Sequence, residues 1–211
     1  MIRIQKLFIE GRWCDSKDIR EIRSPFDDSV VSNTHYATPQ QMEQALAASA
    51  RAFRSYRRIS RSTRSRLLTQ MRLGIEARRD EFVRLLVEEA GKPISAAEAE
   101  VGRALNTFQI AAEEARRFVG ELLPMDIDPV GRDFEETAVV HWVPRGPVLG
   151  ITPFNFPLNL VAHKVAPALA AGVSILIKPA PQAPGAAVLL AQVFEEAART
   201  ASDAKETIDL A

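Results

Sequence analysis

Cysteine is nearly absent: Cys14 is the only one in 211 residues. A single thiol excludes an intramolecular disulfide framework and a cysteine-rich metal site. A charge excess is also lacking. The 27 basic and 27 acidic side chains cancel, so no global field draws the chain to nucleic acid or to an anionic membrane. Histidine is sparse, and nothing in the sequence pairs His35, His141 and His163 as metal ligands. No apolar run reaches the roughly 20 residues of a membrane span; the longest, Val165 to Ile177, is broken by Pro167, Gly172 and Ser174. The amino terminus, MIRIQKLFIEGRW, interleaves charge with apolar residues and shows no apolar core of a secretory signal. A cytoplasmic protein of a reducing compartment, bound to neither membrane nor nucleic acid and holding no metal, is expected. What is present is ordinary globular composition, 46% hydrophobic and 26% charged, enough to build a core.

Residues 1 to 37 read as short strands and turns, with a turn at Gly11, an alternating run Arg20 to Arg23, and Val30 to Tyr36 pairing back. Helix follows. Thr38 with Gln41 forms a capping box and Pro39 suits the first helical position. Met42, Leu46, Ala50 and Phe53 form the expected apolar stripe of this helix. A second helical stretch starts near Ser62, with Leu67, Leu68, Met71, Ile75, Phe82, Leu85 and Leu86 on one face and a break at Arg79-Asp80. Gly91 and Pro93 stop it. A third helix spans Ser95 to Val119, and residues 121 to 134 read as a connector.

From Thr137 the period changes. Ala138 to Val143 and Val148 to Ile151 read as strands, Leu158 to Ala171 as a helix, Val173 to Lys178 as a strand, and Gly185 to Arg199 as a helix. That succession is a βαβ unit with two parallel strands. Two parallel strands leave an apolar edge that proteins normally cover, so the fold is expected to be incomplete at Leu210-Ala211, and the chain by itself to be poorly soluble or oligomeric.

Ligands of open α/β sheets bind beyond the carboxyl ends of the strands. The loop Thr152 to Asn155 and the strand end at Lys178 fall there. Asn155 offers a carboxamide donor suited to an oxyanion, and Lys178 offers an ammonium to ribose hydroxyls or phosphate. Each also has a plain structural reading: Asn155 as the cap of the following helix, Lys178 as a solvated strand end. The Glu88-Glu89 and Glu195-Glu196 pairs read as solvated helix faces. Arg51 to Arg79 holds ten arginines against one acid, Glu76. That is either a nucleic-acid footprint or a solvated face balanced by acidic neighbours, and the neutral net charge favours the second.

The segment PRGPVLGITPFNFPLNLVAHKVAPALAAGVSILIKPAPQAPGAA resembles the aldehyde dehydrogenase superfamily. Thr152 to Pro157 is similar to its T-P-[FW]-N-[FY]-P loop, Lys164 to Gly172 to its K-x-x-P-A-L-A-A-G helix, and Lys178-Pro179 to its K-P strand end. LFIEGRW, SPFDD and EEAGKP (Glu88 to Pro93) follow the same order, and the likeness covers nearly the whole chain, fading after Arg199.

The resemblance implies a partial aldehyde-dehydrogenase-like α/β fold: residues 1–137 as strands and helices of the cofactor-binding domain, 138–147 as an oligomerisation-arm strand, and 148–211 as part of an NAD(P)-binding βαβα unit. It implies oxidation of an aldehyde to a carboxylate with hydride transfer to NAD or NADP. Asn155 would hold the oxyanion. Ile151, Thr152, Pro153 and Phe154 would line the cofactor cleft, and Lys178, with the Ala180-Pro181 turn, would hold the adenosine ribose. The family often carries a glutamate three residues beyond that lysine; Pro181 stands here, which makes NADP acceptable. The family's cysteine nucleophile and its glutamate base in an E-L-G-G-K segment have no counterpart in these 211 residues. Cys14 is expected to be a structural or surface thiol. A truncated, inactive chain is the expectation, a homo-oligomer or a non-catalytic paralogue associating with full-length subunits.

Overall fold

The structure is a computed structural model that describes residues 2–125, 137–202 and 206–208. Residues 126–134 of the expected connector and the Leu210-Ala211 end lie outside the described residues.

The amino-terminal third is built from short strands, β1 (Arg3–Gln5), β2 (Leu7–Ile9), β3 (Arg12–Cys14), β4 (Asp18–Arg23) and β5 (Val30–Tyr36). β2 and β3 form a hairpin around Glu10-Gly11. β4 pairs antiparallel with β5, and β1 adds to the other side of β5 in parallel. The sequence shows the β4–β5 pairing through its alternation. β1 carries no such signal, because a three-residue strand is defined by its partner.

Helix α1 (Pro39–Tyr56) starts where the capping box places it: the Thr38 hydroxyl accepts the Gln41 N–H at 3.3 Å and the Gln41 carboxamide oxygen accepts the Thr38 N–H at 3.1 Å. Its buried face is not the expected stripe. Met42 and Leu46 are exposed, Ala50 is exposed, and Ala45, Ala48, Ala52 and Tyr56 are buried. Small side chains let α1 lie close to the sheet, where the Ser174 hydroxyl donates to the Ser49 carbonyl at 2.7 Å. Close approach outweighs the larger apolar residues on the opposite face.

α2 (Arg61–Ala77) is capped by Ser60, whose hydroxyl accepts the Thr63 N–H at 3.1 Å. The break falls at Arg78, followed by α3 (Arg79–Ala90), which ends at Gly91, and α4 (Ile94–Arg117). The apolar face of α2 and α3 is buried as its period predicts, with Leu67, Leu68, Met71, Ile75 and Phe82 fully inaccessible. α2 packs on α4, and Val101 and Phe108 complete the core from α4.

The connector contains a strand. β6 (Glu121–Pro124) pairs antiparallel with β7 (Thr137–Val140), Leu122 opposite Val139. Gly120 permits the entry, since a Cβ there would lie 1.5 Å from the Val140 carbonyl oxygen. Pairing rather than propensity makes β6 a strand. Both strands are largely exposed: Leu122 is 68% and Val139 55% accessible.

β8 (Val148–Ile151), α5 (Asn159–Ala171), β9 (Ile175–Lys178) and α6 (Gly185–Ala201) complete the α/β fold. β8 and β9 are parallel, Val148 opposite Ile175 through Ile151 opposite Lys178. Among the described residues they form a two-stranded sheet. Val148, Leu149 and Ile151 of β8 stay exposed, the open apolar edge that the sequence predicts. α5 packs on α4 and α6 on α2, so the helical core carries the βαβα unit as one body of side chains.

Two glutamate readings need correction. Glu89 is 4% exposed rather than solvated, and Glu195 is partly buried, accepting from the Trp13 indole at 2.9 Å and from Arg199 at 2.5 Å. Both lie where a neighbouring element supplies a donor, which local sequence does not show.

Candidate functional site

The register of β8 and β9 decides what lies together at the rim. Ile151 is opposite Lys178, and the Thr152 N–H donates to the Lys178 carbonyl at 3.2 Å. The loop that carries Asn155 and the turn that follows Lys178 therefore leave the sheet side by side, at the carboxyl ends of both strands, where an α/β sheet binds ligands. Asn155, Pro153, Phe154 and Lys178 are exposed there, with Ile151 61% and Phe154 57% accessible. Thr152 and Ala180 are buried and shape the rim from beneath. Pro181 is exposed, and its carbonyl accepts the Tyr36 hydroxyl at 3.0 Å. An apolar lip of Ile151 and Phe154 beside an exposed ammonium suits a nucleoside whose ribose is held by cationic donors.

Asn155 does not cap α5. The first helical N–H groups are answered from another helix: Glu100 Oε1 accepts from Leu158 and Asn159, each at 3.0 Å. Glu100 has no accessible surface, and its other oxygen is bonded to the Lys92 ammonium. α6 is treated in the same way. Glu89 Oε2 accepts the Gly185 N–H at 2.8 Å, while Oε1 accepts from Gln5 at 2.5 Å and Ser32 at 3.2 Å. Burial raises the Glu89 pKa, and the hydrogen bonds from Gly185, Gln5 and Ser32 oppose the rise. Helix amino termini are ordinary phosphate sites because N–H groups and the helix dipole converge there. Here both are already filled by buried carboxylates, so the phosphates of a dinucleotide are not expected at either.

The loop is tied down beside Asn155. The Lys92 ammonium lies 3.9 Å from the centre of the Phe156 ring and the Arg103 guanidinium 5.2 Å from it. The Leu160 N–H donates to the Phe156 carbonyl at 3.0 Å.

Glu89, Glu100 and Lys92 are missing from the sequence-based candidates, although a signal exists. Glu100 stands on the stripe of Ala97, Val101, Ala104 and Phe108, and Glu89 on that of Phe82, Leu85 and Leu86. A charge at an apolar-stripe position predicts a buried, partnered group.

The remaining candidates are placed elsewhere. Cys14 pairs with Leu7 in the β2–β3 hairpin, its thiol 3.6 Å from the Arg12 carbonyl. The arginine-rich stretch is spread through the packing: Arg51 bonds Glu10, Arg64 is buried with Nη2 donating to the Arg57 carbonyl at 3.0 Å, and Arg78 lies 3.1 Å from Glu81. Among the described residues no group of three or more His, Cys, Asp or Glu side chains converges as a metal site. No helix of the described residues is long and apolar enough to cross a membrane.

The sequence pattern of the aldehyde dehydrogenase family matches residues 13–201. A 3-sulfolactaldehyde dehydrogenase of Priestia aryabhattai is 36% identical over 191 residues, 90% of this chain and 39% of that protein. A D-glyceraldehyde dehydrogenase (NADP(+)) of Thermoplasma acidophilum is 32% identical over 91% of this chain and 38% of its own. The crystal structure of aldehyde dehydrogenase 21 from Physcomitrella patens, in complex with the reaction product succinate, superposes with a TM-score of 0.88 at 32% identity, over 93% of this chain and 40% of that one. The chain thus spans about two fifths of the length of the relatives it matches.

Proposed function

The chain belongs to the aldehyde dehydrogenase family, and on that premise we propose that it supplies the oxyanion donor and the ribose-side wall of an NAD(P)-dependent aldehyde-oxidising site. One observation carries the reading: Asn155 and Lys178 share one rim, because Ile151 is in register with Lys178. The carboxamide of Asn155 donates a hydrogen bond to the aldehyde oxygen as it gains negative charge under nucleophilic attack. A fixed donor of this kind lowers the barrier by about 3 kcal/mol, since it binds the charged oxygen more strongly than the carbonyl. Lys178 donates to the adenosine ribose hydroxyls, and Ile151, Thr152, Pro153 and Phe154 shape the cleft beside them. NAD(P)+ supplies the hydride acceptor.

Cys14 is not the nucleophile in this reading, because it sits in the β2–β3 hairpin and not on the rim. The 211-residue chain by itself is therefore proposed to be inactive toward aldehydes. The 138–147 segment is proposed as an assembly arm, joining copies of the chain or full-length subunits. Val139, Trp142 and Val143 favour it, being 55%, 59% and 70% exposed.

The test is Asn155→Ala and Lys178→Ala in the protein expressed from its complete gene, assayed by NAD(P)H formation from small aldehydes. Asn155→Ala is expected to lower kcat about 10²-fold or more without changing cofactor affinity. Lys178→Ala is expected to weaken cofactor binding at nearly unchanged kcat. Wild-type kcat in the first variant and wild-type cofactor affinity in the second would overturn the reading.

A further inference from the structure

Asn155 lies on an exposed loop, yet an oxyanion donor works only if it is held in place before the reaction. Its neighbour Phe156 is the obvious handle. Phe156 is 37% exposed, and the Lys92 ammonium stands 3.9 Å from the centre of its ring. Lys92 cannot wander, because its ammonium is bonded to Glu100, whose carboxylate is fully buried. The same carboxylate accepts the N–H groups of Leu158 and Asn159 at 3.0 Å. A single buried group thus fixes both the amino end of α5 and the nearer of the two cations at the Phe156 ring, Lys92 rather than Arg103.

We propose that Lys92, locked by Glu100, is a positioning residue that orients the Asn155 carboxamide by holding the Phe156 ring. The inference rests on the oxyanion role proposed for Asn155. Lys92 touches no reacting atom; it acts through Phe156. A cation over an aromatic face is attractive and directional, so the ring, and with it the preceding peptide, keeps one orientation. Donor misplacement of about 1 Å is enough to cost up to a hundredfold in rate.

The test is a double-mutant cycle in the protein expressed from its complete gene. Lys92→Met and Phe156→Leu are each made with Asn155 and with Asn155→Ala. Positioning predicts a loss of about ten- to a hundredfold in kcat from either change when Asn155 is present, at unchanged KM for the aldehyde and unchanged cofactor affinity. With Asn155→Ala the same changes cost less than about twofold, because a missing donor has nothing left to orient. Phe156→Tyr, which keeps the aromatic face, retains wild-type kcat. If Lys92→Met does not fold, Phe156→Leu decides, its ring being partly exposed. Equal losses in both backgrounds, or no loss with Asn155 present, would overturn the proposal. Wild-type kcat in Asn155→Ala alone would overturn the oxyanion reading and the positioning role with it, and that single variant reads it separately.

Discussion

The carboxylate of Glu89 accepts the backbone N–H of Gly185 at 2.8 Å, joining residues 96 positions apart. A side chain of α3 thereby closes the amino end of α6, and Glu100 of α4 does the same for α5.

The Glu89 link sets a pH dependence. Burial raises its pKa above the ordinary 4.5, so the folded state holds this proton more tightly than the unfolded chain. The contribution of the group to stability is then fully present below pH 4.5 and declines as pH rises through the folded pKa. Glu89→Gln cannot titrate and turns an NH2 toward one of the Gly185, Gln5 and Ser32 donors, costing about 1–3 kcal/mol. Urea unfolding at a series of pH values is expected to show the largest gap between wild type and Glu89→Gln at the acid end. A gap that widens from acid to neutral pH would contradict the raised pKa.

Gly172 ends α5 in the left-handed region at φ +84°, and a Cβ there would lie 2.3 Å from Arg64 Cζ. Gly172→Ala carries the left-handed cost of about 1–2 kcal/mol and also displaces Arg64, a buried cation whose pKa is lowered by desolvation. Thermal unfolding is expected to fall by several degrees. An unchanged Tm would contradict both the left-handed cost and the clash with Arg64.

Phe108 has no accessible surface and fills the space between α4 and the core. Phe108→Ala is expected to cost about 3–5 kcal/mol through lost burial and the cavity left behind. Denaturant midpoints at constant m-value measure it, and a loss under 1 kcal/mol would mean that the core collapses around the gap.

We propose that cofactor choice turns on Pro181. It is exposed at the rim and carries no carboxylate to repel a 2′-phosphate. We expect the protein expressed from its complete gene to bind NADPH no more weakly than NADH. Pro181→Glu is expected to shift the ratio of the two dissociation constants toward NADH by about tenfold, read by nucleotide fluorescence titration. A strong wild-type preference for NADH would remove Pro181 as the determinant.

Much of this architecture is legible in the residues. The capping box at Thr38, the apolar face of α2 and α3, and the strand-helix-strand-helix succession after Val148 all stand where local pattern puts them, because caps and periodicity act within a few residues. The placing of the Thr152–Asn155 loop and of Lys178 at one end of the sheet follows from a parallel register, Ile151 opposite Lys178, that short strands between turns leave little freedom to change. The buried face of α1 was not legible, since Met42 and Leu46 outrank alanine in any apolar count while only alanine permits the close approach to β9. Nor was β6, whose partner lies beyond the connector.

The sequence by itself determined most of the element types, the family resemblance and the residue chemistry at the rim, all of which depend on neighbours along the chain. The tertiary structure alone decided which acceptor answers the amino ends of α5 and α6. Backbone N–H groups at a helix start always need a partner, but nothing local says that Glu100 and Glu89, from two other helices, provide it. That choice also withholds both helix ends from phosphate and, through Glu100, holds Lys92 over Phe156, the residue next to Asn155 in the chain.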